Sequence, residues 1–271
     1  MLVARITGER MTKFAVETAV TDDRWMPRNS QSPKRPGYVP PPNPETILLS
    51  DALRGTHRFA ETKQSDFLGA ANKNDLTLYY AGDTSLLKLP CVAIVGTREV
   101  SDAGIAATEW LTRKLVEAGI VIVSGLAYGV DTVAHTTALA SGGRTIAVIG
   151  TPLDKASPSE NALLQERVYR EHLLISQFRA GDAVYRTNFP VRNRLMATLS
   201  DATIVMEARD KSGTLHQAAE CTKLGRWLFI AKSVIDDPTI TWPKDFMKYP
   251  TCIPLERVSQ ITDRLLKSSQ L

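Results

Sequence analysis

The sequence predicts an α/β protein built on a doubly wound, mostly parallel sheet, with a short helical segment before it and one helix after it. Three runs carry this reading: Val92-Ala93-Ile94-Val95, Val121-Ile122-Val123-Ser124 and Thr145-Ile146-Ala147-Val148-Ile149. Each is short, apolar and largely β-branched, and each ends at a glycine, namely Gly96, Gly125 and Gly150. The stretches between them suit helices, so the unit is strand, turn, helix, repeated. Open α/β sheets bind ligands beyond the carboxyl ends of their strands. Function is therefore expected along one edge of the sheet.

The elements follow in chain order. Residues 1–45 read as a tail, because seven prolines fall between Pro27 and Pro44, too many for helix or inner strand. This stretch is expected to be extended and mobile. Residues 46–75 carry two short helical patterns, Thr46–Leu53 and His57–Leu68, too small for a core of their own. Thr77-Leu78-Tyr79-Tyr80 reads as a strand leading into the main domain, which spans 76–235. There the candidate strands are 92–96, 120–124, 144–149, 173–176, 203–207 and 227–231. The candidate helices are 103–118, 131–141, 160–171, 192–200 and 213–224. Six strands with interleaved helices suit a doubly wound sheet, whereas an eightfold barrel needs more units. Within the last segment, 236–271, residues 236–253 look loop-like. Leu255, Val258, Ile261 and Leu265 then recur at helical spacing, so Leu255–Leu266 is expected to dock as a helix.

Composition narrows the class. The chain has 271 residues, 43% of them apolar, and a formal net charge of +4. That balance permits a nucleic-acid partner without arguing for one. Cys91, Cys221 and Cys252 are far apart, with no CxxC or Cys/His cluster, so they read as reduced thiols of a cytoplasmic protein without zinc. No apolar run approaches the ~20 residues that cross a bilayer. Charges at Arg5, Glu9, Arg10 and Lys13 leave the N-terminus without the apolar centre of a signal peptide.

Four turns carry the candidate chemistry. In Gly96-Thr97-Arg98, the glycine permits a tight turn, the threonine offers a hydroxyl and the arginine adds a cation. In Ser124-Gly125-Leu126-Ala127-Tyr128-Gly129-Val130-Asp131, two glycines free backbone N–H groups ahead of a helix, which suits an anion. It is not a GxGxxG fingerprint, so no nicotinamide cofactor is implied. Asp131 is expected to cap the next helix, and His135 shares its helical face. Asn188-Phe189-Pro190-Val191-Arg192-Asn193-Arg194 is expected to place Arg192 and Arg194 at a helix start. Cations there oppose the dipole, at ~0.3–1 kcal/mol each, unless an anion sits between them. An ordinary ion pair to a core carboxylate is the alternative. Lys211-Ser212-Gly213-Thr214 is a fourth small-residue turn before a helix. Nothing on this edge looks like a nucleophile with its base, so no catalytic residue is named.

With these motifs in place, the chain resembles the DprA/Smf family of bacterial DNA-processing proteins. The resemblance runs through Leu76–Asp83, Val92–Arg98, Ser124–His135, Gly143–Gly150, Asn188–Arg194 and Ser212–Leu215, roughly 77–235 in all. It implies an extended Rossmann fold that binds single-stranded DNA without catalysis or cofactor, acts in recombination and transformation with a RecA-type recombinase, and forms homodimers. Carried onto this sequence, the DNA-facing residues are Arg98, Ser124, Gly125, Gly129, Arg192, Asn193 and Arg194, with Ser212, Gly213 and Thr214 nearby. Gly96, Thr97, Tyr128 and Asn188 are expected to join them in binding DNA or phosphate. Many members carry a helical domain before this core and a winged helix after it; residues 46–75 and 236–271 match neither. Tyr128 stands where arginine is frequent in the family, and offers a ring on which a base can stack.

The competing reading is a nucleotide sensor or phosphoribohydrolase-like enzyme of the same superfamily. Those enzymes carry a glutamate after a glycine-threonine turn. Here Gln217 occupies that place, an amide that cannot take up a proton, and Glu220 lies nearly a helical turn further on.

Overall fold

The computed structural model describes residues 37–62, 75–210 and 212–266. Its centre is a nine-stranded sheet. In chain order the strands are β1 (Glu45–Leu48), β2 (Thr77–Gly82), β3 (Cys91–Val95), β4 (Val121–Ser124), β5 (Thr145–Ile149), β6 (Leu173–Ser176), β7 (Ala202–Val205), β8 (Trp227–Ala231) and β9 (Cys252–Leu255). Across the sheet the order is β1-β2-β6-β5-β4-β3-β7-β8-β9. From β6 to β9 all neighbours are parallel, while β2 pairs antiparallel with β6 and with β1. The chain builds outward from β3 on one side, through β4, β5 and β6. It then crosses back and builds outward on the other side, through β7, β8 and β9. The reversal between β3 and β7 is the switch point of a doubly wound sheet. The fold is Rossmann-like α/β, as the glycine-ended runs predict.

Both faces of the sheet are covered, which is why its central strands are apolar throughout. Ala93 and Val95 of β3 face one buried cluster with Leu195 and Met196 of α6 (Asn188–Leu199) and Ala218 of α7 (Thr214–Lys223). Val92 and Ile94 face the other, with Leu111 and Leu115 of α3 (Asp102–Glu117), Ala134 of α4 (Val130–Ala140) and Ile261 of the last helix. Each such fully buried leucine or isoleucine contributes roughly 1.5–3 kcal/mol of transfer free energy. α3 starts where Ser101 Oγ accepts from Gly104 N–H at 3.0 Å, satisfying one of the free donors of the first turn. α5 (Ala162–Glu171) returns the chain from β5 to β6.

Some expectations change. Thr46–Leu53 is not one helix: Thr46, Ile47 and Leu48 belong to β1, opposite Tyr79, Leu78 and Thr77, and only Leu49–Leu53 (α1) is helical. Pairing with β2 overrides the local helical pattern. The next helix, α2, covers His57–Thr62; the rest of the expected His57–Leu68 lies outside the described residues. Residues 37–39, expected to be mobile, are pinned. Tyr38 is packed against the cluster over β5 and β6, its hydroxyl donating to Leu153 O at 2.8 Å and accepting from Gln165 Nε2 at 2.7 Å. The rest of the tail, up to residue 36, lies outside the described residues.

Beyond β8, the loop expected over 236–253 holds α9 (Pro243–Phe246), after α8 (Lys232–Ile235), and the start of a ninth strand. Leu255 closes that strand, and the docking helix α10 runs only from Ser259 to Leu265. Pro254 is tolerated because β9 is an edge strand, where one missing N–H faces no neighbour.

Candidate nucleic-acid interface

At the switch point the turns after β3, β4 and β7 meet the start of α6 around a cavity of about 420 Å³. The turns bind each other backbone to backbone. Thr97 N–H donates to Glu207 O at 2.6 Å, and Val130 N–H donates to Thr97 O at 3.2 Å. Gly129 makes this contact possible: its φ is +72°, and a Cβ there would lie 2.2 Å from Thr97 O. Thr214 Oγ1 donates to Gly96 O at 3.1 Å and joins α7 to the same assembly.

Of the expected site residues, Gly96, Thr97, Arg98, Arg192, Asn193, Ser212, Gly213 and Thr214 line the cavity. Ser124, Gly125, Tyr128, Gly129, Asn188 and Arg194 do not appear among its walls. Ser124 is buried and donates its hydroxyl to Ile94 O at 2.7 Å, so it ties β4 to β3. Gly125 is required by a protein group: a Cβ there would lie 1.3 Å from Arg192 Nη1. Asn188 is buried, its Nδ2 without an acceptor among the described residues. Arg194 points at α7, with Nε 3.5 Å from Glu220 Oε2. Tyr128 stands exposed on the β4–α4 loop.

Arg192 departs furthest from expectation. α6 begins at Asn188, so Arg192 falls in its second turn, where the dipole argument does not apply. The side chain is buried, its Nη1 donating to Val148 O at 3.0 Å and standing 4.0 Å from Asp131 Oδ2. Burial lowers the Arg192 pKa, against the pull of Asp131. Asp131 is not the cap of α4, whose cap position is Gly129. Its Oδ2 instead accepts from Gly125 N–H at 3.1 Å and Ala127 N–H at 3.3 Å, fixing the β4–α4 loop. Burial pushes its carboxyl above the ordinary carboxylate value; Arg192 and the two backbone donors oppose that push. The pair is a clamp joining α6, β5 and the β4–α4 loop.

His135 does not join Asp131. It is buried, with Nδ1 2.7 Å from Thr145 Oγ1, and desolvation pushes its pKa down to about 3. It is a neutral core residue at ordinary pH. Among the described residues no group of His, Cys, Asp and Glu could hold a metal ion.

Two cations remain at the mouth. Arg98 and Arg209 are exposed, line the cavity, and have no carboxylate within ion-pair distance among the described residues. Arg209 escaped the sequence reading. The available signal was its place just beyond β7, three residues before Ser212. Phe189 and Pro190 add an apolar wall. Gln217 is buried and also lines the cavity. Its amide nitrogen faces Asn193 O at 2.6 Å and its oxygen faces Thr203 Oγ1 at 3.2 Å. Both ends are used to join α7 to α6 and β7.

The fold and site define a class: a Rossmann-like protein with a cavity at its switch point, lined by two exposed arginines. The model of the family described as DNA recombination-mediator protein A matches residues 58–263. The chain belongs to that family. It is 44% identical over 160 residues to the DNA processing protein DprA of Streptococcus pneumoniae, covering 59% of this chain and 56% of that protein. It is 33% identical over 172 residues to the protein Smf of Escherichia coli, covering 63% and 46% respectively. Among solved structures, the DNA processing protein A of Helicobacter pylori, described for its single-stranded DNA binding mode, superposes with a TM-score of 0.64. It is 31% identical, over 73% of this chain and 90% of that one. The chain spans about half the length of the curated relatives it matches. Among the described residues no helix is long and apolar enough to cross a membrane.

Proposed function

We propose that this protein binds single-stranded DNA at the carboxyl edge of its sheet and performs no chemistry on it. One observation carries the reading: two exposed guanidiniums, Arg98 and Arg209, line a cavity at the switch point with no carboxylate within ion-pair distance among the described residues. Phosphates are the ligand such cations suit, and the exposed Tyr128 nearby on this edge offers a stacking face. The single-strand mode described for the Helicobacter pylori relative supports the same ligand. The cavity's buried carboxylate, Asp131, is engaged by two backbone N–H groups and Arg192, so it is not free to act as a base. Gln217 stands where the hydrolase reading needs an acid. Delivery of the strand to a RecA-type recombinase, and a homodimer, complete the proposal; both rest on family resemblance.

The test is anisotropy of a labelled single strand, with the duplex as control, across a salt series. With three to four phosphates neutralised, log K should fall against log salt with a slope of roughly −2 to −3. Equal binding of duplex, or no binding of the single strand at low salt, overturns the reading. Release of base from nucleoside monophosphates by the wild-type protein would favour the enzyme.

A further inference from the structure

The interior of the switch-point cavity differs from its mouth. Arg192 and Asp131 both line it, and each is only 5% exposed. Among the described residues only Val148 O accepts from the Arg192 guanidinium, through Nη1, and its Nε has no acceptor. Asp131 takes both of its backbone donors on Oδ2. Oδ1 receives neither, and the Ser124 hydroxyl beside the carboxylate gives its proton to Ile94 O. The interior therefore shows a ligand one donor group and one acceptor group, side by side.

A buried donor without a partner is unfavourable, so a ligand gains by bringing an acceptor to Arg192. That acceptor is not a phosphate. An anion at this depth would lie beside the Asp131 carboxylate, and like charges repel more strongly where water is excluded. Phosphates belong at the mouth, on the exposed Arg98 and Arg209. A neutral ring suits the interior, where Phe189, Pro190 and Met196 supply apolar walls. The cavity, at about 420 Å³, is of a size that holds small organic groups. Guanine carries two adjacent acceptors on one edge, O6 and N7, and two adjacent donors on the next, N1–H and the N2 amino group. No other DNA base has both.

We infer that the cavity takes one unpaired base of the strand and prefers guanine, its acceptor edge on Arg192 and its donor edge on Asp131. The inference rests on the single-strand reading above. The donor edge is the Watson–Crick edge, which a duplex keeps engaged, so the same contact favours single strands.

The test uses the full chain and short oligothymidylates, one unaltered and others with a single central guanine, adenine or cytosine. The guanine strand should bind about ten-fold more tightly than the unaltered one, the scale of a good base contact. Replacing that guanine by 7-deazaguanine, which lacks N7, or by hypoxanthine, which lacks the N2 amino group, should each remove part of the gain. Arg192→Lys keeps a cation beside Asp131 without the planar fork. It should abolish the guanine preference while binding the unaltered strand with the wild-type salt slope. Equal affinity for all four strands overturns the inference and leaves the single-strand reading intact. A preference for adenine or cytosine overturns it equally. If the lysine variant does not fold, the two analogues decide on the wild-type protein: a guanine gain that survives both is ring stacking, and Arg192 and Asp131 do not read the base. If the wild-type chain binds no single strand at all, the functional reading fails first and the inference with it.

Discussion

The two edges of this sheet use arginine in opposite ways. At the carboxyl edge Arg98 and Arg209 stand exposed with no carboxylate within ion-pair distance among the described residues. At the amino edge Arg58 is 1% exposed, its Nη1 3.0 Å from Asp201 Oδ2, with Leu87 O also accepting from it. Asp201 accepts from Cys91 N–H at 2.7 Å, and His57 Nε2 lies 3.0 Å from its other oxygen. Arg226, also buried, donates to Arg58 O at 3.1 Å. One edge holds charge inside a buried network that ties α2 beneath β3 and β7; the other leaves charge open to solvent. Arginine identity does not separate binding from architecture. Burial and partners do.

The comparison breaks most visibly at the buried end. Arg58→Ala should destabilise the fold by about 3–5 kcal/mol, because it leaves Asp201 charged in the interior. Denaturant unfolding reads this, and a loss below about 1 kcal/mol would mean the network is dispensable. Arg192→Ala should cost about 3 kcal/mol for the same reason, leaving Asp131 without its cation. A folded Arg192→Ala protein of wild-type stability would return that arginine to the group reserved for ligand.

A pH-dependent effect follows from His135. Its folded pKa of about 3 lies below the unfolded value near 6.5, so the unfolded chain binds the extra proton between them. This contribution is fully present above pH 6.5 and is lost as pH falls toward 3, at up to about 1.4 kcal/mol per pH unit. In urea titrations from pH 7 to pH 4, His135→Asn should show a shallower pH dependence than wild type. Matching slopes would mean that the ring is not the proton acceptor on unfolding. The smallest stability change is expected at the open edge. Arg98→Ala with Arg209→Ala should alter stability by less than about 0.5 kcal/mol. The same double change should flatten the salt slope of single-strand binding by about one to one and a half units. A large drop in melting temperature with the slope intact would reverse the assignment of the two edges.

The sequence alone determined the strand–glycine–helix rhythm, the edge on which to look for a ligand, and the turns at Gly96 and at Ser212 to Thr214. These are local properties: an apolar run sets a buried strand, and a glycine followed by hydroxyls ends it. It did not determine the ninth strand, because Cys252 to Leu255 pairs with β8 only through a sheet that already exists. Nor did it reveal β1, where a helical pattern yields to pairing with Leu78. Arg98 and Arg192 look alike as residues in neighbouring turns, and tertiary structure decided their difference. A helix that starts at Asn188 turns Arg192 inward onto Val148 and Asp131, while the β3 turn leaves Arg98 at the surface. Solvent access and the distance to a carboxylate are properties of the packed chain, and spacing along the sequence does not contain them.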